Sequence, residues 1–289
     1  MTQLLKNYAV LLLSCPDRKG IVASVSRFIY EHNGNIVHAE QYTDTEKGRF
    51  FMRIEWELEG FKLKREQISS FFSPLAQRFQ MEWSLHFTDY IPNVAIFVSK
   101  TSHCLYELLL RQQSGEIGAN IRLIISNHPD LKPVAETFGV PYYVFPVTPE
   151  NKEKVEQEEL LLLKEHKIDL IVLARYMQIL TPAFVAHYPN RIINIHHSFL
   201  PAFAGPHPYH QARERGVKVI GATSHYVTAE LDAGPIIEQD VIRVSHRDRI
   251  ADLIRKGRDI EKLVLARAVK LHLENRIIVY ENRTIVFDT

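Results

Sequence analysis

Six short apolar runs recur between Asn93 and Val227: VAIFV, IRLIIS, YYVFPV, DLIVLA, RIINI and KVIGATSHYV. Longer segments of helical or loop character separate them. Several runs are near-continuous, as strands buried on both faces are, and such strands occur where helices cover both sides of a parallel sheet. SHCLYELLLRQQ, LKPVAETFG and NKEKVEQEELLLLKEHK are the clearest intervening helices. In the last of these, Leu160 to Leu163 form an apolar stripe on a charged helix, which predicts core. A long helix around DIEKLVLARAVKLHLENR closes the pattern, followed by a strand pair with a turn at Glu281-Asn282-Arg283. An open sheet of this kind holds its ligands at the carboxyl ends of its strands.

The first 85 or so residues have a different rhythm. YAVLLLSC reads as a strand and PDRKG as a turn. IVASVSRFIYEHNGN carries Ile21, Val22, Val25, Phe28 and Ile29 at helical spacing, and Asn33-Gly34-Asn35 ends it. Two strands follow, IVHAEQYTD and GRFFMRIEWEL. A helix that Pro74 is expected to disturb comes next, then a last strand, MEWSLHFTD. The order is βαββαβ, a ferredoxin-like arrangement. A boundary near Asp89-Tyr90-Ile91-Pro92 divides the chain into residues 1–88 and 89–289. The expected fold class is α/β, with a Rossmann-like, mostly parallel sheet in the second part.

Charge excludes several functions. The net charge of +1 and pI of about 7.8 leave no electrostatic footprint for nucleic acid or an anionic membrane. Two cysteines, Cys15 and Cys104, lie far apart, so neither a disulfide framework nor a cysteine-rich zinc site is expected. The apolar run Tyr8 to Leu13 has no small-residue cleavage site after it, and no run approaches the roughly 18 residues of a bilayer span. A soluble, cytoplasmic protein is expected.

The chemistry concentrates where RIINI ends. In INIHHSFLPAF, Asn194 and His196 share one face of the strand, and His197 points elsewhere. Further on, Asp232 sits in a loop between strands, two residues before Gly234. Asn, His and Asp together suit acyl-group chemistry without a metal. Asn194 and His196 can donate hydrogen bonds to a tetrahedral oxyanion, and Asp232 can orient the histidine or a water and carry a proton. Taken singly, each has an ordinary reading as a cap, a polar loop start or a turn residue. Fourteen histidines make chance pairs common. A metal held by His196, His197, His207, His210 and His225 is conceivable, but no carboxylate spacing completes a ligand set, so no metal is expected. Ser198 lacks a glycine-flanked elbow and is not read as a nucleophile.

Resemblance sharpens this. The strand followed by PDRKGIVASVS, then NGNIVHAEQ, resembles an ACT domain, a small ligand-sensing module. That resemblance implies Asn33 and Asn35 as contacts for an amino-acid effector; as residues, both serve equally well as turn formers. From Asn93 onward the chain resembles the folate-dependent formyltransferase fold, through INIHHSFLPAF and TSHYVTAELDAGPII. Within that group it is most similar to the formyltetrahydrofolate deformylases, through DLIVLARYMQIL, PYHQARERGVKVIGATSHYV, GPIIEQDVIRV and GRDIEKLVLARA. The resemblance implies Asn194, His196 and Asp232 as catalytic. It implies a folate pocket made by a strand end at Met177, Gln178, Ile179 and Leu180 and closed by Val227 to Asp232. His225 is implied as a residue supporting the catalytic ones, or else a satisfied core histidine.

The acceptor of the formyl group follows from what is missing. Glycinamide ribonucleotide transformylases hold a phosphate with a glycine-rich loop; here that place reads SKTSHCL, Ser99 to Leu105, without glycine. His103 and Lys100 could still meet a phosphate. Transformylases acting on methionyl-tRNA need a basic surface, which this chain lacks. Water is then the natural acceptor, and His197, where transformylases usually carry Pro, is read as helping to place the water or shaping the acceptor side. The implied reaction is hydrolysis of 10-formyltetrahydrofolate, the substrate, to formate and tetrahydrofolate, with no cofactor. It would balance the one-carbon folate pool and supply formate for purine synthesis. A transferase with an amine acceptor, or an inactive amino-acid sensor, are the alternatives. A homo-oligomer and an effector such as glycine or methionine are further expectations. The loop carrying Pro206 and His207 is expected to border the site.

Overall fold

A computed structural model describes residues 7–201 and 208–287. Pro206 and His207 lie outside the described residues. The chain divides into two compact units. One runs to Ile91 and is joined by Glu274–Ile278 and a segment from Ile285; the other comprises Pro92–Leu273 and Val279–Thr284.

The front unit is β1 (Tyr8–Pro16), α1 (Ile21–Glu31), β2 (Ile36–Asp44), β3 (Arg49–Glu57), α2 (Arg65–Phe79) and β4 (Glu82–Phe87). Its four strands pair antiparallel in the order β2-β3-β1-β4, the expected ferredoxin-like sheet. Ile21, Val25, Phe28 and Ile29 of α1 are buried, whereas Val22 is exposed, because one step along a helix turns a side chain by about 100°. Helix α2 runs unbroken through Pro74. Asn33 ends α1 in the left-handed region at φ 63°. Gly34 follows it because an added Cβ would press on Ile29 and Phe61.

The rear unit starts with β5 (Asn93–Val98), α3 (His103–Gln113), β6 (Asn120–Ser126), α4 (Lys132–Thr137) and β7 (Tyr142–Val144). It continues with α5 (Lys152–Glu165), β8 (Leu170–Leu173), α6 (Pro182–Ala186), β9 (Ile192–His196), α7 (Pro208–Glu214), β10 (Val219–Tyr226), β11 (Ile236–Arg243) and α8 (Ile250–Leu273). Two short strands follow, β12 (Ile277–Tyr280) and β13 (Arg283–Val286). The seven-stranded sheet has the order β11-β10-β9-β8-β5-β6-β7. Strands β5 to β9 are parallel, and β10 and β11 add antiparallel. From β5 the chain builds outward through β6 and β7, then returns to β8 on the other side of β5. That reversal opens a crevice at the carboxyl ends of β5 and β8.

Helix α5 carries its apolar stripe into the core as expected, with Leu161 the exception. Its buried residues are Val155, Glu156, Glu159 and Leu163, and Leu161 is 68% exposed. The inward face follows positions one, four and eight residues beyond Val155, which rotates Leu161 to the opposite side. Leu163 is fully buried and Leu160 and Leu162 pack against the core as expected, and Glu156 and Glu159 are buried on the same helix.

Candidate functional site

Strand pairing assembles the polar groups. Asn194 and His196 end β9, and β10 runs antiparallel beside it with His225 opposite Asn194. The loop from β10 to β11 carries Asp232, held at φ 54°. Gly234 lets this loop press against β10: an added Cβ would collide with the Tyr226 carbonyl oxygen. The N–H of Tyr226 donates to the Pro235 carbonyl at 2.9 Å. From the C-terminal strands, Asn282 Nδ2 donates to the Ala233 carbonyl at 2.9 Å and Thr284 Oγ1 to that of Ile236 at 2.6 Å, fixing both flanks of Gly234.

The four side chains meet directly. His196 Nδ1 lies 3.2 Å from Asp232 Oδ2, and His225 Nε2 lies 3.6 Å from Oδ1. Asn194 Nδ2 is 3.2 Å from His225 Nε2. His225 Nδ1 faces the Tyr226 carbonyl at 2.9 Å, which assigns its proton to Nδ1 and leaves Nε2 to accept from Asn194. The hydrogen bond from His196 above all holds the Asp232 carboxyl far below the usual carboxylate range. His196 is 7% exposed, and its Nε2 is buried without a hydrogen-bond partner among the described residues. One nitrogen of His196 is thus held by Asp232 and the other is left for a ligand. The Ser198 carbonyl accepts from Thr223 Oγ1 at 2.9 Å, so the segment after the histidines is tied down by its backbone.

These groups open on a cavity of 320 Å³. All the sequence-predicted substrate residues line it: Met177, Gln178, Ile179, Leu180, His197, His225 and Val227, together with Asn194, His196 and Asp232. Met177 to Leu180 are a loop after β8, not the expected strand end, because β8 stops at Leu173. Met177 and Ile179 are exposed apolar groups, as is Leu231 across the cavity. The loop is anchored from behind. Ser99 Oγ accepts from the Met177 N–H at 3.0 Å and donates to Asn127 Oδ1 at 2.7 Å. Glu156 accepts from the Thr181 N–H at 2.9 Å and from the Thr181 hydroxyl. The Tyr176 hydroxyl reaches Glu159 at 3.5 Å. Burial, and then the neighbouring Glu156, push the Glu159 carboxyl up to about 8.

Thr228 to Leu231, within the stretch expected to close the pocket, line the cavity, and so do Arg175 and Tyr176, which sequence reasoning passed over. It also passed over Glu261 of α8, which is 2% exposed. Glu261 Oε2 is 2.8 Å from His103 Nε2, and Oε1 accepts from the Tyr209 hydroxyl at 2.6 Å. Gly257 makes that contact possible, since a Cβ there would collide with the Tyr209 ring. Burial opposes ionisation of Glu261, but the His103 hydrogen bond and the Arg175 charge outweigh it and hold the carboxyl at about 2. His103, read as a group that could meet a phosphate, is committed to this carboxylate. Beside the cluster, burial and then Arg175 push His197 down to about 4, so it is neutral at ordinary pH.

Among the described residues, one group could gather three metal-ligand atoms, His103, Cys104 and Glu261. Both oxygens of Glu261 are already hydrogen-bonded, burial pushes the Cys104 thiol well up, and the Arg175 cation stands at the same carboxylate. That chemistry does not suit a cation. In the front unit Asn33 Nδ2 donates to the Gly60 carbonyl at 2.8 Å and Asn35 Nδ2 to Glu57 at 3.0 Å. Both amides thus spend a donor inside the fold.

Residues 92–269 match the formyl transferase family and residues 9–59 the ACT domain. The chain is 60% identical over 279 residues to the formyltetrahydrofolate deformylase of a Synechocystis species, covering 96% of this chain and 98% of that one. It is 54% identical to the Bacillus subtilis enzyme of the same name, covering 96% and 93%. The crystal structure of a formyltetrahydrofolate deformylase from Pseudomonas syringae pv. tomato superposes with a TM-score of 0.96 at 48% identity, covering 99% of this chain and 96% of that one.

Proposed function

The chain belongs to the formyltetrahydrofolate deformylase family, and from that premise we propose how its own residues carry out the reaction. The enzyme hydrolyses 10-formyltetrahydrofolate to formate and tetrahydrofolate. The pterin lies in the cavity between the Met177–Leu180 loop and the Val227–Asp232 loop, against the apolar faces of Met177, Ile179 and Leu231. Backbone groups of the first loop read its polar edge. The formyl group reaches the inner end.

Water adds to the formyl carbon and the carbonyl oxygen becomes an oxyanion. His196 Nε2 donates to that oxygen when the ring is protonated, and Asn194 supplies its second amide hydrogen. Asp232 fixes the imidazolium through Nδ1 and accepts a hydrogen bond from the water. The water proton passes to N10, the C–N10 bond breaks, and the amine leaves. His225 keeps the Asn194 amide and the Asp232 carboxylate in register. Neutral His197 accepts a hydrogen bond from the water on its acceptor side. The observation that carries this reading is the free, buried Nε2 of His196, whose other nitrogen is held by Asp232.

Purified protein with 10-formyltetrahydrofolate releases formate with no added amine. Formate appearing only with an amine would instead make the protein a transferase. His196→Ala and Asp232→Ala abolish turnover while folate binding by fluorescence persists; retained turnover in either sinks the role assignment. The front unit carries the further reading that an amino acid, glycine or methionine, modulates the enzyme through the region of Asn33 and Asn35, in a homo-oligomer. The ACT-domain match supports it.

A further inference from the structure

Arg175 follows β8 and lines the cavity with its side chain 16% exposed. Its backbone sits at φ 64°, a region non-glycine residues adopt only under constraint. The guanidinium offers five N–H donors. Its counter-charge, Glu261, stands 3.5 Å from Nε, but both Glu261 oxygens are taken by His103 and Tyr209. No hydrogen bond reaches the guanidinium from any described residue, and Nε is buried without a partner. A largely buried cation with unspent donors is costly unless the contents of the cavity satisfy it. Glu261 holds the charge in place without consuming its donors.

The hydrolysis proposed above generates a matching ligand in the same cavity. Water adds to the formyl carbon, the C–N10 bond breaks, and N10 takes one proton. The other proton goes to solvent, because a simple carboxylic acid is ionised at neutral pH. The remaining species is a planar carboxylate, and guanidinium is the side chain whose fork fits a carboxylate in two parallel hydrogen bonds. We propose that Arg175, held by Glu261, is the seat of the formate anion produced in the cavity. The inference rests on the hydrolytic reading. Neutral His197 beside the seat adds no second cation, so the anion is held weakly enough to leave.

The test uses sodium formate as a product inhibitor of the full chain, with ionic strength held constant by sodium chloride. Formate inhibits the wild type. Arg175→Met weakens that inhibition about tenfold or more, and Arg175→Lys, which keeps the charge and loses the fork, lies between. Line broadening of ¹³C-formate reads binding without turnover, so a slow variant cannot imitate a loss. Should Arg175→Met fail to fold, Arg175→Met/Glu261→Gln removes both charges together and takes its place. Unchanged formate inhibition in a folded variant, or no formate binding to the wild type, overturns the seat. Formate release by the wild type continues in both cases if hydrolysis is correct; its absence would sink the hydrolytic reading itself.

Discussion

At the scale of single residues, Asn194 sets a polar amide at a strand end that borders the cavity. Its amide has two hydrogens, one given to His225 and one left for the cavity. An oxyanion donor of this kind contributes most in the transition state. Asn194→Ala is expected to lower kcat by about 10² to 10³ with little change in KM. Steady-state kinetics check this; a rise in KM at constant kcat would show that Asn194 only binds substrate. Asn194, His196 and Asp232 were legible because their short segments, INIHHSFLPAF and TSHYVTAELDAGPII, carry the resemblance to the formyltransferase fold, and the structure brings the three together. Arg175 and Glu261 were not. A lone Arg after an apolar run reads as a solvated strand end, and a Glu on a charged helix reads as a wet face. Their pairing joins positions 86 residues apart, which no local pattern records.

At the scale of elements, the site depends on segments that touch no substrate. Helix α5 turns two carboxyls, Glu156 and Glu159, inward beneath the Met177–Leu180 loop, beside the leucines expected there. Glu159 is an acid whose folded-state pKa, about 8, lies above its ordinary 4.5. Between those values the folded chain keeps a proton that the unfolded chain has released. Stability therefore falls as pH rises through that window. Glu159→Gln removes the titration, so its melting temperature should exceed that of the wild type at pH 8, and the gap should close by about pH 4.5. Calorimetry across pH checks the sign; parallel pH curves for the two proteins would contradict it. The strands themselves were readable, because continuous apolar runs can be buried only in a covered sheet. The extent of α5's inward face was not, since four consecutive leucines hide which side of a helix points in.

At the scale of the whole molecule, an ACT domain and a formyl transferase domain share a chain, and each was visible as its own rhythm of strands and helices. Among the described residues no helix is long and apolar enough to cross a membrane. If the front unit senses an amino acid, glycine or methionine should change kcat or KM, with binding heat in calorimetry. Unchanged kinetics and no heat with either would remove that role. The central claim is that water, not an amine, receives the formyl group in the cavity headed by His196 and Asp232. Turnover in H₂¹⁸O, with the formate analysed by mass spectrometry, tests it most directly. One ¹⁸O per formate formed is the predicted result, and formate free of the label would contradict it.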